Sequence, residues 1–350
     1  MSKKNILNFT LAVWEKAVEE IKLPRFRATQ VWDWIYNKRV FTFADMSNLS
    51  LATKEELEKH FCIDLPIIDV KNVSSSADGS QKFLLTTTDG AVIESMVMYA
   101  NDRVTICISS MVGCPLRCAF CATGTEIGFV RMLDACEIIG QLFAVEQYIK
   151  NKVTSIVFMG MGEPLLNLAA TKVVLENLLS PNACAYSRNA ITLSTAGIAP
   201  VIAPLINKYR IRLAVSLHFP TDAQRSEYMP INCTHGLKEL FAALKQVKLE
   251  GNDYITIEYI MLKDINDSID HARALVKICS HIKVKFNLIP YNKIASFKGE
   301  PSSQKTIDAF TAFLLEKGFR VSMRHSRGTD ISGGCGQFAL KKDTHTIIDD

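Results

Sequence analysis

The sequence predicts an α/β protein: a partial barrel of six strand–helix units, preceded by a small helical domain and a β-hairpin extension. Three observations carry this. From about residue 104 short apolar, β-branched segments alternate with longer helical ones, the rhythm of a parallel sheet with crossover helices. Residues 1–66 repeat apolar side chains at helical spacing. Residues 67–100 change to the two-residue alternation of strands.

In order, the helical domain holds "TLAVWEKAVEEI", "RATQVWDWIYNK" and "ATKEELEKHF", separated by polar turns containing Pro or Ser. The extension holds "IIDVKNVSS", "QKFLLTTT" and "AVIESMVMY", with turns at Asp78-Gly79 and Asp89-Gly90. The third segment, 101–350, carries strands at "VTICISS", "TSIVFMG", "NAITLST", "IRLAVSL", "YITIEYIML" and "KVKFNLI", most followed by a helix such as "LDACEIIGQLFAVEQYIK". Its tail adds a helix, "SQKTIDAFTAFLLEKG", a strand, "FRVSMR", and the Gly-rich "RGTDISGGCGQF". In such sheets ligands bind at the C-terminal ends of the strands.

With 350 residues, 48% hydrophobic and 22% charged, the composition is that of an ordinary soluble protein. No apolar run reaches the roughly 18 residues of a membrane span, and acids interrupt the N-terminal segment where a signal peptide would stay apolar. A cytoplasmic protein without a membrane partner is expected. Ten cysteines in a reducing compartment point to metal or catalytic roles rather than a disulfide framework. The net charge of +4 permits an RNA partner without arguing for one. Between Lys22 and Arg39, five basic residues face one acid and interleave with Phe26, Trp32, Trp34 and Tyr36. Such a segment suits RNA contact, by phosphate pairing and base stacking, or an amphipathic helix whose aromatics are core.

The chemistry concentrates in "GCPLRCAFCATG". Cys114, Cys118 and Cys121 offer three thiolates with CxxxCxxC spacing. A [4Fe–4S] cluster held by three sulfurs leaves one iron open for a substrate. A structural zinc site normally closes with a fourth ligand, and no partner pair or HxxxH motif lies nearby. The spacing is similar to that of radical S-adenosylmethionine (SAM) enzymes, in which the amino and carboxylate groups of SAM chelate the open iron.

Other motifs fall at strand ends. "GMGEPLLN" supplies Gly162 for close backbone approach and Glu163 as an acceptor for an ammonium group. The third barrel strand gives Ser194, the fourth Ser216, Leu217 and His218 at its end, and the sixth leads to Asn292. Cys107 sits on the first strand, where a packed core thiol is the ordinary reading. Cys335 stands in "SGGCGQ", where glycine freedom suits a nucleophile that reaches into a site.

Together "FRATQVWDWIY", "DGSQKFL", "DGAVIESMVM", "CISSMVGCPLRCAFCATG", "GMGEPLLN", "LAVSLHFP", "NLIPYN" and "RGTDISGGCGQ" closely resemble the RlmN-type adenine C2-methyltransferases of the radical SAM class, over nearly the whole chain. The resemblance implies a radical SAM partial (β/α)6 barrel. It also implies one [4Fe–4S] cluster on Cys114, Cys118 and Cys121, and two molecules of SAM per turnover, with contacts at Gly162, Glu163, Ser194, Ser216, Leu217, His218 and Asn292. Cys335 corresponds to the family's methyl-carrying cysteine, Cys107 to its resolving cysteine and Glu94 to its proton acceptor. The implied partners are 23S rRNA, tRNA with an anticodon-loop adenine, and a flavodoxin or ferredoxin type electron donor.

Two segments depart from the family pattern: the residues before Cys335 and "VRMLDACEI" after the cluster motif. Neither touches a reacting group. Two other readings remain open on the sequence: a Cfr-type C8-methyltransferase, against which Pro164 and Arg327 resemble the C2 enzymes, and a non-catalytic iron–sulfur RNA-binding protein. The second leaves Cys107 and Cys335 unused.

Overall fold

A computed structural model describes residues 3–324 and 326–340. The last ten residues of the segment 101–350 lie outside the described residues. Near the N-terminus, α1 (Leu11–Glu20), α2 (Phe26–Tyr36) and α3 (Leu51–His60) follow the apolar spacing. The α1–α2 pair is pinned where Trp14 Nε1 donates to the carbonyl of Ala28 at 3.0 Å. The Ser50 hydroxyl caps α3 by accepting from the Thr53 N–H, and Lys59 and His60 stand at its negative C-terminal end.

Residues 67–100 build β1 (Gln81–Thr86) and β2 (Val92–Ala100), antiparallel in register from Gln81 opposite Val97 to Thr86 opposite Val92. Gly90 turns the hairpin at a φ of 85°. The hairpin is continuous with the barrel sheet, because β2 also pairs antiparallel with β3 (Arg103–Cys107). From β3 onward the pairing is parallel: β4 (Ser155–Phe158), β5 (Ile191–Thr195), β6 (Arg212–Ser216), β7 (Ile255–Met261), β8 (Val284–Pro290) and β9 (Arg320–Met323). The six anticipated barrel strands are present, and "FRVSMR" joins them as a seventh parallel strand on β8.

The helices α4 (Ala135–Ile149), α5 (Leu168–Leu179), α6 (Ala199–Tyr209), α7 (Asp222–Tyr228), α8 (Leu237–Lys245), α9 (Ile269–Cys279) and α10 (Gln304–Glu316) connect successive strands. A short ribbon of Met111–Gly113 with Phe129–Met132, which periodicity did not show, flanks the cluster motif.

One hydrophobic cluster runs from the N-terminal helices through the barrel. Trp32 and Tyr36 belong to it. Tyr36 packs edge-on against Phe143 of α4, and Asn177 of α5 donates to its hydroxyl at 2.9 Å. Two of the four aromatics between Lys22 and Arg39 are therefore core. Phe26 is 55% exposed beneath Arg27, and Lys38 Nζ lies 3.8 Å over the Trp34 ring. Among the described residues no helix is long and apolar enough to cross a membrane.

Candidate functional site

The C-terminal ends of the strands converge on one cleft. Cys114, Cys118 and Cys121 form part of its wall, together with Gly162, Glu163 and Ser194. The loop bearing the cysteines is shaped by glycine. A Cβ on Gly113, at a φ of 74°, would lie 1.7 Å from the Gly128 carbonyl oxygen, which instead accepts the Cys114 N–H at 2.8 Å. Leu116, Phe120, Phe219 and Ile260 belong to a small apolar cluster against which Cys114 and Cys118 pack, and Leu116, Phe120 and Ile260 also line the cleft.

Burial pushes the Cys114 thiol up to about 12 and raises Cys118 and Cys121; at Cys118 the charges of Cys121 and Cys114 add to the effect. Three buried sulfurs that repel one another once ionised call for a cation between them. Among the described residues, no three His, Cys, Asp or Glu side chains converge closely enough to hold a single metal ion. A [4Fe–4S] cluster takes one thiolate on each of several irons, so it needs sulfurs spread around a cavity wall, and this donor set fits it.

Glu163, one of two carboxylates in the cleft with Glu258, is 3% exposed and fixed by the N–H of Ala196 at 2.7 Å and of Leu165 at 3.0 Å. Burial raises it to about 7 against those two hydrogen bonds. Gly162 leaves the strand at a φ of 99°, and a Cβ there would lie 2.6 Å from Met111 Cβ. Ser216 and His218 complete this side of the cleft. Burial first, then the charge of Arg225, pushes the His218 imidazole down to about 3, so it is neutral. Its Nδ1 accepts the Ile260 N–H at 3.1 Å, which leaves Nε2 to carry the proton. Leu217 is fully buried and acts by packing.

Glu163 yields a pH prediction. Its folded pKa lies above the ordinary carboxylate value, so the proton is held until about pH 7 and the anion, the form that would pair with a SAM ammonium group, exists above it. SAM affinity of the purified protein should fall up to about tenfold per unit as pH drops below 7. Glu163→Gln should be weak and flat over that range. Equilibrium dialysis from pH 8 to pH 5.5 measures this, and a wild-type profile flat below 7 would refute it.

Cys335 faces the same cleft and an adjoining cavity that Cys107 also lines, together with Arg324 and Met96. Both thiols are free. Burial raises Cys107 to about 12, with Cys335 adding to the effect and Arg324 opposing it. The glycines around Cys335 serve fit rather than reach. A Cβ on Gly334 would lie 2.7 Å from Asn292 Nδ2, which itself donates to the Cys335 carbonyl at 3.2 Å, and Gly336 has a φ of 81°. The tail is tied to the cluster loop, because the Ala122 N–H donates to the Gly336 carbonyl at 2.8 Å and Thr123 Oγ1 to that of Phe338 at 2.8 Å.

Glu94 lies fully buried on β2, its carboxylate 3.4 Å from Lys82 Nζ and accepting the Leu340 N–H at 3.1 Å. In this conformation it faces the tail rather than the cleft. Asn292 likewise touches the Cys335 backbone.

Three residues escaped sequence reading. Arg225 on α7 is wholly buried; it donates to the Leu217 carbonyl at 3.2 Å, to Asn232 Oδ1 at 2.8 Å and to the Ala196 carbonyl at 2.5 Å, tying together the loops after β5 and β6. Glu258 and Arg324 line the cleft from β7 and the end of β9. Nothing in the spacing of "TDAQRSEY", of "TIEYIML" or of the end of "FRVSMR" marks them.

The parallel barrel, its cysteine loop and the buried carboxylate at the strand ends define a radical SAM enzyme. Residues 108–276 match the radical SAM superfamily, and residues 4–63 match the N-terminal domain of ribosomal RNA large subunit methyltransferases. The chain is 43% identical over 343 residues to the dual-specificity RNA methyltransferase RlmN of Geotalea uraniireducens, covering 98% of both chains. It is 40% identical to a probable RlmN of Clostridium novyi, over 95% of this chain and 97% of that one. A radical SAM methyltransferase from Sphaerobacter thermophilus superposes with a TM-score of 0.90 at 32% identity, over 97% of this chain and 100% of the other. The chain belongs to the RlmN family of radical SAM RNA methyltransferases. That membership implies a [4Fe–4S] cluster and SAM as cofactors.

Proposed function

We propose that this protein methylates carbon 2 of an adenine in 23S rRNA, and of an anticodon-loop adenine in tRNA, through a methyl group carried on Cys335. The observation that carries the reading is Cys335 itself: a thiol at the meeting of the cluster-side cleft and the cavity of Cys107, where a non-catalytic RNA binder would have no use for it. Cys114, Cys118 and Cys121 would hold the cluster, and Glu163, Ser194, Ser216 and His218 the SAM, with Gly162, Leu217 and Asn292 shaping the walls. When bound, reduced cluster and SAM supply a 5′-deoxyadenosyl radical.

The chain's own residues do the rest. Cys335 accepts a methyl from one SAM; once a hydrogen atom of that methyl has gone to the radical from a second SAM, its carbon bonds to carbon 2 of the base, and the electron left over on the ring would return to the cluster. Glu94 takes the proton from carbon 2, which requires the tail segment at Leu340 to move off its carboxylate. The Cys107 thiolate then attacks the Cys335 sulfur. An S–S bond forms, the S–C bond breaks with its electron pair moving to the methylated base, which is protonated, and the disulfide is reduced before the next turnover. Arg324 offers that thiolate a counter-charge.

Residues 1–66, with Phe26, Arg27, Trp34 and Lys38 on their surface, serve as an RNA-contact module in a cytoplasmic enzyme reduced by a flavodoxin or ferredoxin type donor. Residues 67–100 extend the catalytic segment 101–350. The test is the product: reconstituted holoenzyme, SAM, reductant and unmodified 23S rRNA fragment should yield 2-methyladenosine on nucleoside analysis. 8-Methyladenosine as main product would place the chain with the Cfr-type enzymes, and an unmodified fragment would refute the reading.

A further inference from the structure

The strand register resolves the barrel interior into layers. Ser216, Glu258, Asn287 and Ser322 are partners across β6 to β9. They are linked by Asn287 Nδ2 donating to Glu258 Oε2 at 2.7 Å and Ser322 Oγ donating to Asn287 Oδ1 at 3.1 Å. Two residues nearer the strand N-termini, the same face carries Ala214, Thr256, Lys285 and Arg320, again partners in register. Arg212 stands one step lower on β6, opposite Thr192. Lys285 and Arg320 therefore face each other on neighbouring strands about 4.8 Å apart, an arrangement that like charges resist.

Around them a cleft opens on the end of the barrel opposite the cysteines. Arg188, Arg210, Arg212, Lys248 and Lys285 line it. At its side the Tyr254 ring is flanked by Lys283 at 4.6 Å and Arg320 at 4.5 Å. Against these seven cations stand Glu250 and Asp253, more local positive charge than the whole chain's net +4. Glu250 is occupied by Arg188 and Arg210. Among the described residues Arg212, Lys248 and Arg320 have no carboxylate within ion-pair distance.

We propose that this floor cleft is a phosphate site that takes the backbone of the RNA substrate, far from the reacting base. The proposal rests on the RNA-methyltransferase reading above. Guanidinium forks match phosphate oxygens, and the innermost cations, Arg212 and Lys285, project from the interior face of the sheet into a concavity that a phosphodiester strand enters more readily than a convex protein face does. The seven residues of β7 and β8 put the floor roughly 20 Å from the mouth. A short RNA at the mouth cannot touch it, whereas a folded RNA can span both ends.

The test combines Arg212→Gln, Lys248→Gln and Arg320→Gln, with fluorescence anisotropy across a salt series on a long folded 23S rRNA fragment, on a short hairpin holding only the target loop, and in competition with inorganic tripolyphosphate. For the long RNA the slope of log affinity against log salt should fall by about two to three and low-salt affinity by about 10²-fold, while the hairpin is unaffected. Arg212→Lys with Arg320→Lys should keep most of the affinity, and unchanged thermal melting establishes that the triple variant folds. An unchanged slope for the long RNA overturns the proposal. So does equal loss for both RNAs, or tripolyphosphate binding that the variant loses while RNA affinity stays intact, which would assign the cleft to a free phosphate compound. An unchanged RNA affinity together with lost binding to an acidic protein overturns it as well. Release of 5′-deoxyadenosine by the wild-type holoenzyme tests the underlying reading separately.

Discussion

Cys107→Ala is expected to convert the enzyme into a covalent trap for its substrate. If Cys335 carries the methyl and Cys107 acts only at release, the variant still methylates Cys335 and still joins it to the adenine, then stops. A protein–RNA adduct that survives denaturation should accumulate toward one per active site, while turnover falls by orders of magnitude. Cys335→Ala and the double variant should give no adduct, because no carrier exists. Denaturing gel electrophoresis with labelled RNA reads all three. The structure makes the order physically reasonable: Cys107 is a strand residue 7% exposed, raised to about 12 by burial, and lines a cavity that it shares with Cys335. Normal turnover by Cys107→Ala would return that thiol to a packing role.

Arg225→Ala should be the most damaging substitution away from the reacting groups. Burial lowers the guanidinium to about 10, so it stays charged at neutral pH, and it is stabilised by carbonyl dipoles and Asn232 rather than by a directly bonded carboxylate. Removing it leaves the Ala196 carbonyl and Asn232 Oδ1 without their partner, takes one of two donors from the Leu217 carbonyl, which keeps the Phe219 N–H, and opens a cavity. At about 1–3 kcal/mol for each buried unsatisfied group, the net loss should be about 4 kcal/mol. Arg225→Lys should recover less than half, since one ammonium cannot reproduce a fork that meets Leu217, Ala196 and Asn232 on three separate segments. Urea unfolding measures both, and a loss below about 1 kcal/mol would contradict the bracing role. SAM binding should weaken in parallel, because Ala196 also positions Glu163.

Glu163 and Arg225 differ in how far their places in the fold were legible from the sequence. Glu163 sits in a glycine turn one strand after three cysteines, and local spacing suffices because turn and carboxylate are adjacent in the chain. Arg225 depends on the return of α7 beneath two loops that end different strands. Its acceptors lie 8 and 29 residues away, and no periodicity records that. The basic aromatic segment shows the same limit. Its charge and ring content were legible, but α2 turns Trp32 and Tyr36 inward and leaves Phe26 outside, a split set by the packing of α4 and α5.

What the sequence determined by itself was most of the elements, because strand and helix periodicities are local, and the chemistry of the cysteine loop, because CxxxCxxC needs no distant partner to be recognised. Only the tertiary structure decided that "FRVSMR" extends the parallel sheet, that Arg324 thereby stands over Cys107 and Cys335, and that Lys285 and Arg320 face one another at the floor. Each follows from which strand lies beside which. That choice is made by burial of the two faces of the sheet against helices far apart in the chain.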